Sequence, residues 1–143
     1  MTALEFEIIN KYKNEIIKDF NKYAQEALVD HDFKVADLKY LLIISENKNI
    51  KLQELAIVLN VDKAVVTRTI KRLVELDYVN KDIDEKDSRS FNLSLTKKSE
   101  KKLAELKSIF KEWYDKLTIN FTEDEKSMYI GIMKKAYENR IYK

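Results

Sequence analysis

The stretch Leu52-Gln53-Glu54-Leu55-Ala56-Ile57-Val58-Leu59-Asn60-Val61-Asp62-Lys63-Ala64-Val65-Val66-Thr67-Arg68-Thr69-Ile70-Lys71-Arg72-Leu73 decides the fold. Leu52, Leu55, Ala56 and Leu59 recur at helical steps and share one face of a short helix over residues 52–60. Val66, Ile70 and Leu73, with Thr69 beside them, do the same for a second helix from about Lys63 to Leu76. Between the two, Asn60-Val61-Asp62 must turn the chain sharply. Asn60 falls where the backbone has to enter the left-handed region, which Gly adopts most freely and Asn next. Val61 then offers an apolar plug for the corner, and Ala56 lets the two helices cross closely.

Downstream, the apolar period changes from 3.6 to 2. Tyr78-Val79 and then Phe91, Leu93 and Leu95 alternate with polar neighbours, which predicts two strands around the polar tip Asp84-Glu85-Lys86-Asp87-Ser88-Arg89. Thr96 is placed to cap a long helix through about Asn120, with Leu103, Leu106, Phe110, Trp113 and Leu117 inward. Thr122 with Glu125 forms a capping box opening a last helix that carries Met128, Ile132, Met133, Ala136 and Tyr137. Upstream, Ile8, Ile9, Tyr12, Ile16, Ile17, Phe20, Tyr23 and Ala27 mark a helix from Leu4 to Leu28. The segment Val29-Asp30-His31-Asp32-Phe33-Lys34 interrupts it. A further helix follows from about Val35 to Ser45, with Ala36, Leu38, Leu41, Leu42 and Ser45 inward. The expected fold is mainly α with a small β-hairpin wing: a winged helix-turn-helix flanked by long terminal helices.

Composition narrows the chemistry. The chain has 143 residues with one Gly, no Pro, no Cys and a single His, is 45% hydrophobic and 36% charged, and has a formal charge of +2. It is too apolar for disorder, and the five-residue apolar run Tyr40-Leu41-Leu42-Ile43-Ile44, which no run in the chain exceeds, is too short for a membrane span. With Glu5 and Glu7 near the start unsuited to a secretory signal, a soluble, cytoplasmic protein with no membrane partner is expected. A Gly-rich phosphate loop lacks its glycines. Disulfides, thiolate metal sites and thiol-based oxidant sensing lack their cysteine, and a His pair for metal or proton relay lacks its second member. No cofactor and no metal site is expected, and the protein is read as a non-enzyme.

In a helix-turn-helix the second helix enters the major groove with the face opposite its packing stripe. Here that face carries Ala64, Val65, Thr67, Arg68 and Lys71, with Lys63 and Arg72 at its margins. Residues 63–72 hold Lys63, Arg68, Lys71 and Arg72 and no acid, so they carry +4 in a chain of +2. The small or hydroxyl side chains Ala64 and Thr67 permit close approach, and Arg68 can reach a base edge or a phosphate. A basic face that merely meets solvent is the simpler alternative.

The pattern Leu55-Ala56…Leu59-Asn60-Val61-Asp62-Lys63…Val66-Thr67-Arg68…Leu73…Leu76-Asp77-Tyr78-Val79 resembles the core of the MarR family of transcriptional regulators. Asp84…Asp87-Ser88-Arg89…Leu93…Leu95-Thr96 resembles that family's wing, and the spacing agrees over about residues 50–99. Asn60, Asp77 and Ser99 stand where the family often has Gly, and Ser88 where it often has a second Arg. The resemblance implies a homodimer on double-stranded DNA, with terminal helices 1–34 and 97–143 for dimerisation and 35–96 as the winged helix-turn-helix. It further implies major-groove and phosphate contacts from Lys63, Ala64, Val65, Thr67, Arg68, Lys71 and Arg72, and a minor-groove contact from Arg89. Asp84 or Asp87 is expected to orient Arg89 or brace the wing.

Two further expectations are weaker in their residues. Tyr23, His31, Phe33 and Tyr40 could line a cleft for a small aromatic or amphipathic effector, against the plainer reading of Tyr23 and Tyr40 as core aromatics. Asp30-His31-Asp32 reads as a solvated loop and not as a metal site. The rival to a repressor released by such an effector is a helical dimeric interaction module, an antagonist of a related regulator, that does not itself bind DNA.

Overall fold

In a computed structural model, residues 1–28 and 32–141 are described. The elements run α1 (Ala3–Ala27), a 3-10 turn (Val35–Asp37), α2 (Leu38–Glu46), β1 (Ile50–Lys51), α3 (Leu52–Leu59), α4 (Lys63–Glu75), β2 (Val79–Ile83), β3 (Phe91–Leu95), α5 (Lys97–Leu117) and α6 (Glu123–Glu138). The protein is mostly helical, with a three-stranded antiparallel sheet of order β1-β3-β2. Two compact units divide within α5, Met1–Phe110 and Lys111–Lys143.

The expected helix-turn-helix and hairpin form within the first unit. Its core joins Leu41, Ile44, Leu55, Val66, Ile70, Leu73, Tyr78, Val79 and Leu93, all buried. Burying each such side chain is worth about 1.5–3 kcal/mol, so the three apolar positions of α4 suffice to hold that helix by one face. The hairpin pairs Val79 with Leu95 through to Ile83 with Phe91. Strand β1, absent from the sequence-based expectation, pairs Ile50 with Leu93 and Lys51 with Asn92. Two residues are too few to display a period.

The turns explain how so little Gly is needed. Asn60 lies at φ 50° and Asp77 at φ 63°. After α3, Val61 N–H donates to Ala56 C=O and Asn60 N–H to Ile57 C=O; after α4, Tyr78 N–H donates to Leu73 C=O and Asp77 N–H to Val74 C=O. Both are Schellman motifs, with Asn and Asp in the left-handed position that Gly usually takes. Ser99 has a different reason. It is buried, and its hydroxyl donates to the Tyr78 carbonyl. Thr96 caps α5 as expected, its Oγ1 accepting from Ser99 N–H at 3.2 Å.

Some inward faces differ from expectation. On α2 the buried residues are Tyr40, Leu41 and Ile44, while Leu42 and Ser45, and Ala36 in the 3-10 turn before it, are exposed. The helix is rotated so that its large aromatic, and not its small residues, meets the core. On α5, Ile109 is buried and Phe110 is exposed, although the Phe110 ring meets Phe20 edge-on at 5.3 Å. Among the described residues α6 buries none of its side chains within this chain.

Candidate nucleic-acid interface

Helix α4 owes its position to both ends. Asp62 caps it, Oδ1 accepting from Ala64 N–H at 2.8 Å. At the far end the carbonyls that follow the helix find donors from the start of α5: Lys98 Nζ donates to Leu76 C=O at 2.7 Å and Thr96 Oγ1 to Asp77 C=O at 2.7 Å. The Lys98 ammonium also lies 4.3 Å from the centre of the Tyr78 ring. With Val66, Ile70 and Leu73 buried beneath it, α4 is fixed in rotation and in length.

That rotation exposes Lys63, Ala64, Val65, Thr67, Arg68 and Lys71 together. No carboxylate interrupts this face, and among the described residues none of its three cations forms an ion pair with an acidic side chain. The Thr67 hydroxyl donates to Lys63 C=O at 2.8 Å, which turns it back on the helix and leaves its lone pairs and methyl for an approaching ligand.

Arg72 departs from the expectation. Its guanidinium donates to Asp37 Oδ1 at 2.5 Å and to Asp32 C=O at 3.2 Å, and the Asp37 side chain is only 5% exposed. Asp37 Oδ2 in turn accepts from Lys34 N–H at 3.1 Å. The Arg72 side chain is a third exposed, but its guanidinium is committed to a largely buried carboxylate, where the pair is worth more than in water. Arg72 thus ties α4 to the turn before α2.

The wing projects between Ile83 and Phe91. Asp84 Oδ2 lies 3.0 Å from Lys51 Nζ, and its Oδ1 accepts from Lys86 N–H at 3.0 Å. The Lys86 N–H foremost, and then Lys51, hold the Asp84 carboxyl below its ordinary range, while Asp84 pushes the Lys51 ammonium above its own. Asp87 Oδ1 accepts from Arg89 N–H at 3.0 Å, and Asp87 C=O from Ser90 N–H at 2.9 Å. Asp84 thus binds the wing to β1, and Asp87 shapes the turn that carries the exposed Arg89. Lys51 went unnoticed in the sequence because its partner lies across the sheet and no local spacing relates them.

Of the residues named for an effector cleft, Tyr40 takes the plainer core reading, and Phe33 joins it. Phe33 is 0% and Tyr40 4% exposed, and the Phe33 ring packs against Tyr78 at 5.1 Å. Both are core residues, as the burial of large aromatic surface dictates. Tyr23 is half-buried against the same core, and His31 lies outside the described residues. Among the described residues no group of acids and histidines could hold a metal ion, and no helix is long and apolar enough to cross a membrane.

Comparison with known proteins gives consistent results. The family model for the MarR family matches residues 34–91. The HTH-type transcriptional regulator BilQ of Clostridioides difficile is 32% identical over 122 residues, covering 85% of this chain and 82% of the relative. In three dimensions the chain resembles a crystal structure of MarR with a TM-score of 0.81 at 25% identity, covering 91% of this chain and 95% of the other. It also resembles a mutant MarR from E. coli crystallised with operator DNA, with a TM-score of 0.73 at 25% identity over 92% of this chain and 95% of the other.

Proposed function

We propose, from the premise that this chain belongs to the MarR family of DNA-binding transcriptional regulators, that it acts as a homodimeric repressor on a pseudo-palindromic operator. The observation that carries this reading is the exposed, acid-free face of α4, with Lys63, Arg68 and Lys71 beside Ala64, Val65 and Thr67. Each protomer lays that face in a major groove, Arg68 reading a base edge or a phosphate, while Arg89 enters the neighbouring minor groove, drawn by its negative potential. The two half-sites lie about 34–36 Å apart, one turn of the duplex.

The homodimer is supported by apolar side chains left uncovered on terminal elements. On α1, Leu4, Phe6, Ile8, Ile9 and Tyr12 are exposed; on α6, Met128, Ile130, Ile132, Met133 and Tyr137. Patches of this kind mark association surfaces, and two-fold pairing is the commonest form. The segments 1–34 and 97–143 are assigned to that role. Release by a small aromatic or amphipathic effector belongs to the same proposal, but its cleft must use residues other than the buried Phe33 and Tyr40.

The test is selection of duplexes from a random pool by the purified protein, followed by anisotropy titration on the selected site. The expected result is one enriched pseudo-palindrome, preferred over random duplex and bound with a steep loss of affinity as salt rises. Replacing Arg89 with Ala weakens that binding about tenfold, in line with about 1–3 kcal/mol for a good groove contact, and leaves the oligomeric state unchanged. Failure to retain any duplex at low salt would return the protein to the class of interaction modules. In a reconstituted transcription assay the operator-bound protein lowers transcript; an increase would make it an activator.

A further inference from the structure

Lys34, between α1 and α2, has an extended backbone, φ −96° and ψ 139°. In an extended chain the carbonyl before a residue and the N–H after it point to one side, and that residue's own N–H and carbonyl to the other. Both sides of Lys34 are held. On one, the half-buried Gln25 from the last turn of α1 stands where a neighbouring strand's peptide group would. Its Nε2 donates to Phe33 C=O at 3.3 Å, and its Oε1 accepts from Val35 N–H at 3.1 Å. On the other, Asp37 Oδ2 accepts from Lys34 N–H at 3.1 Å, and Asp37 N–H donates to Lys34 C=O at 2.8 Å. Oδ1 of the same carboxylate takes the Arg72 guanidinium, whose other arm donates to Asp32 C=O. Helix α1 is thereby joined to α4 through an amide clamp, one extended residue and a forked guanidinium.

We infer that Gln25, Asp37 and Arg72 are positioning residues for DNA reading, forming a polar strut that sets the fine rotation of α4 relative to α1. The inference rests on the DNA-binding and homodimer reading above and deepens it. Packing of Val66, Ile70 and Leu73 turns the basic face of α4 outward, but apolar contact is non-directional and leaves the helix a small roll. Hydrogen bonds to a rigid guanidinium fork are directional and remove it. Arg72 lies one turn beyond Arg68 on the same helix, so holding its guanidinium at two points fixes where Arg68 and Thr67 aim. At the other end, α1 is one unbroken helix from Ala3 to Ala27. Its exposed apolar residues Leu4, Phe6, Ile9 and Tyr12 sit toward the end away from Gln25. In a dimer joined through those residues, the strut passes the setting of the joined helices to each reading helix. It thereby selects the distance and phase of the two half-sites. Gln25 acts through Asp37 and Arg72 and touches no DNA.

The experiment compares wild type with Gln25→Leu, which nearly keeps the volume of the side chain and removes both of its hydrogen bonds. Affinity is measured on the selected operator and on operators lengthened or shortened by one base pair between the half-sites. One base pair moves a half-site by about 3.4 Å and turns it by about 34°. Wild type prefers the selected spacing by about tenfold or more, and Gln25→Leu narrows that preference to about threefold or less, because a half-site out of phase is no longer excluded. Its affinity for a duplex of one half-site and its salt slope stay unchanged. Gln25→Glu keeps the acceptor for Val35 N–H and loses the donor to Phe33 C=O. Its preference falls between the two, and it replaces Gln25→Leu if that variant loses helical content. Gln25→Leu combined with Arg72→Lys narrows the preference no further than the more severe single variant, since both break one strut; an additive pair would overturn it. A lowered unfolding midpoint, or an equal loss of affinity at all three spacings, with the preference intact is what a merely structural role gives, and it overturns the strut. A wild type that binds all three spacings alike also overturns it and leaves DNA binding standing. A wild type that binds no duplex overturns the DNA-binding reading and the strut with it.

Discussion

Asp84 accepts from Lys86 N–H and from Lys51 Nζ, and the sign of its titration follows. Its folded carboxyl titrates below the ordinary 3.8, so its stabilisation is present above that value and is lost as pH falls through the folded one. Lys51 titrates above the ordinary 10.5, so its share is present below 10.5 and lost as pH rises beyond. The brace is therefore constant from about pH 5 to pH 9, and wing-dependent DNA affinity does not change across that window. An NMR titration places the Asp84 midpoint below 3.8; in Lys51→Met it rises only part of the way back, because the Lys86 N–H is the larger cause. A midpoint unmoved by Lys51→Met would mean that the pair does not persist in solution. Arg72 supplies a second residue-scale prediction. Arg72→Ala leaves the buried Asp37 carboxylate with Lys34 N–H but without its ion partner, lowering stability by about 1–3 kcal/mol in urea unfolding. DNA affinity per folded molecule keeps its salt slope, whereas a shallower slope would put Arg72 on a phosphate after all.

At the scale of elements, the reading helix is oriented by two left-handed turns and by the start of α5. Asn60 is the more exposed to test, since its conformation matters and its side chain packs against little. Asn60→Ala puts a Cβ without local hydrogen-bonding capacity at φ 50° and costs about 1 kcal/mol, while Asn60→Gly is close to neutral because relief of strain offsets added unfolded-state entropy. Thermal unfolding of the two variants side by side measures the difference; equal midpoints would show that the turn relaxes out of the left-handed region. The hairpin and α4 were legible because each buries one face and so imposes a period on its residues. Strand β1 and the helical phase of α2 were not, since the former is too short for a period and the latter offers apolar residues on nearly every side.

For the whole molecule, the exposed apolar residues of α1 and α6 predict association. The wild type sediments as two chains at micromolar concentration. Ile9→Glu combined with Ile132→Glu, at positions 52% and 58% exposed in the single chain, sediments as one chain with its helical content retained. Its affinity for a two-half-site operator falls by more than tenfold, because the second half-site is no longer engaged at high effective concentration. A wild type that sediments as one chain would leave those faces to a different partner.

Local patterning by itself determined that two short helices meet at Asn60, that a hairpin follows them, and that the outward side of the second helix is basic. Each rests on periodicity, turn chemistry or charge count along contiguous residues, and contiguous residues are what a sequence displays. Tertiary structure alone decided which cations remain available. Arg72 is held by Asp37 from 35 positions away, Lys51 is bound to Asp84 across the sheet, and Lys63, Lys81 and Arg89 gather around one cavity. It also decided between cleft and core for Tyr40, made Phe33 core, and gave the Ser99 hydroxyl the Tyr78 carbonyl as partner. The physical reason is the same in each case: a side chain's electrostatic and apolar partners are set by distance in space, which the local period of a helix or strand does not encode.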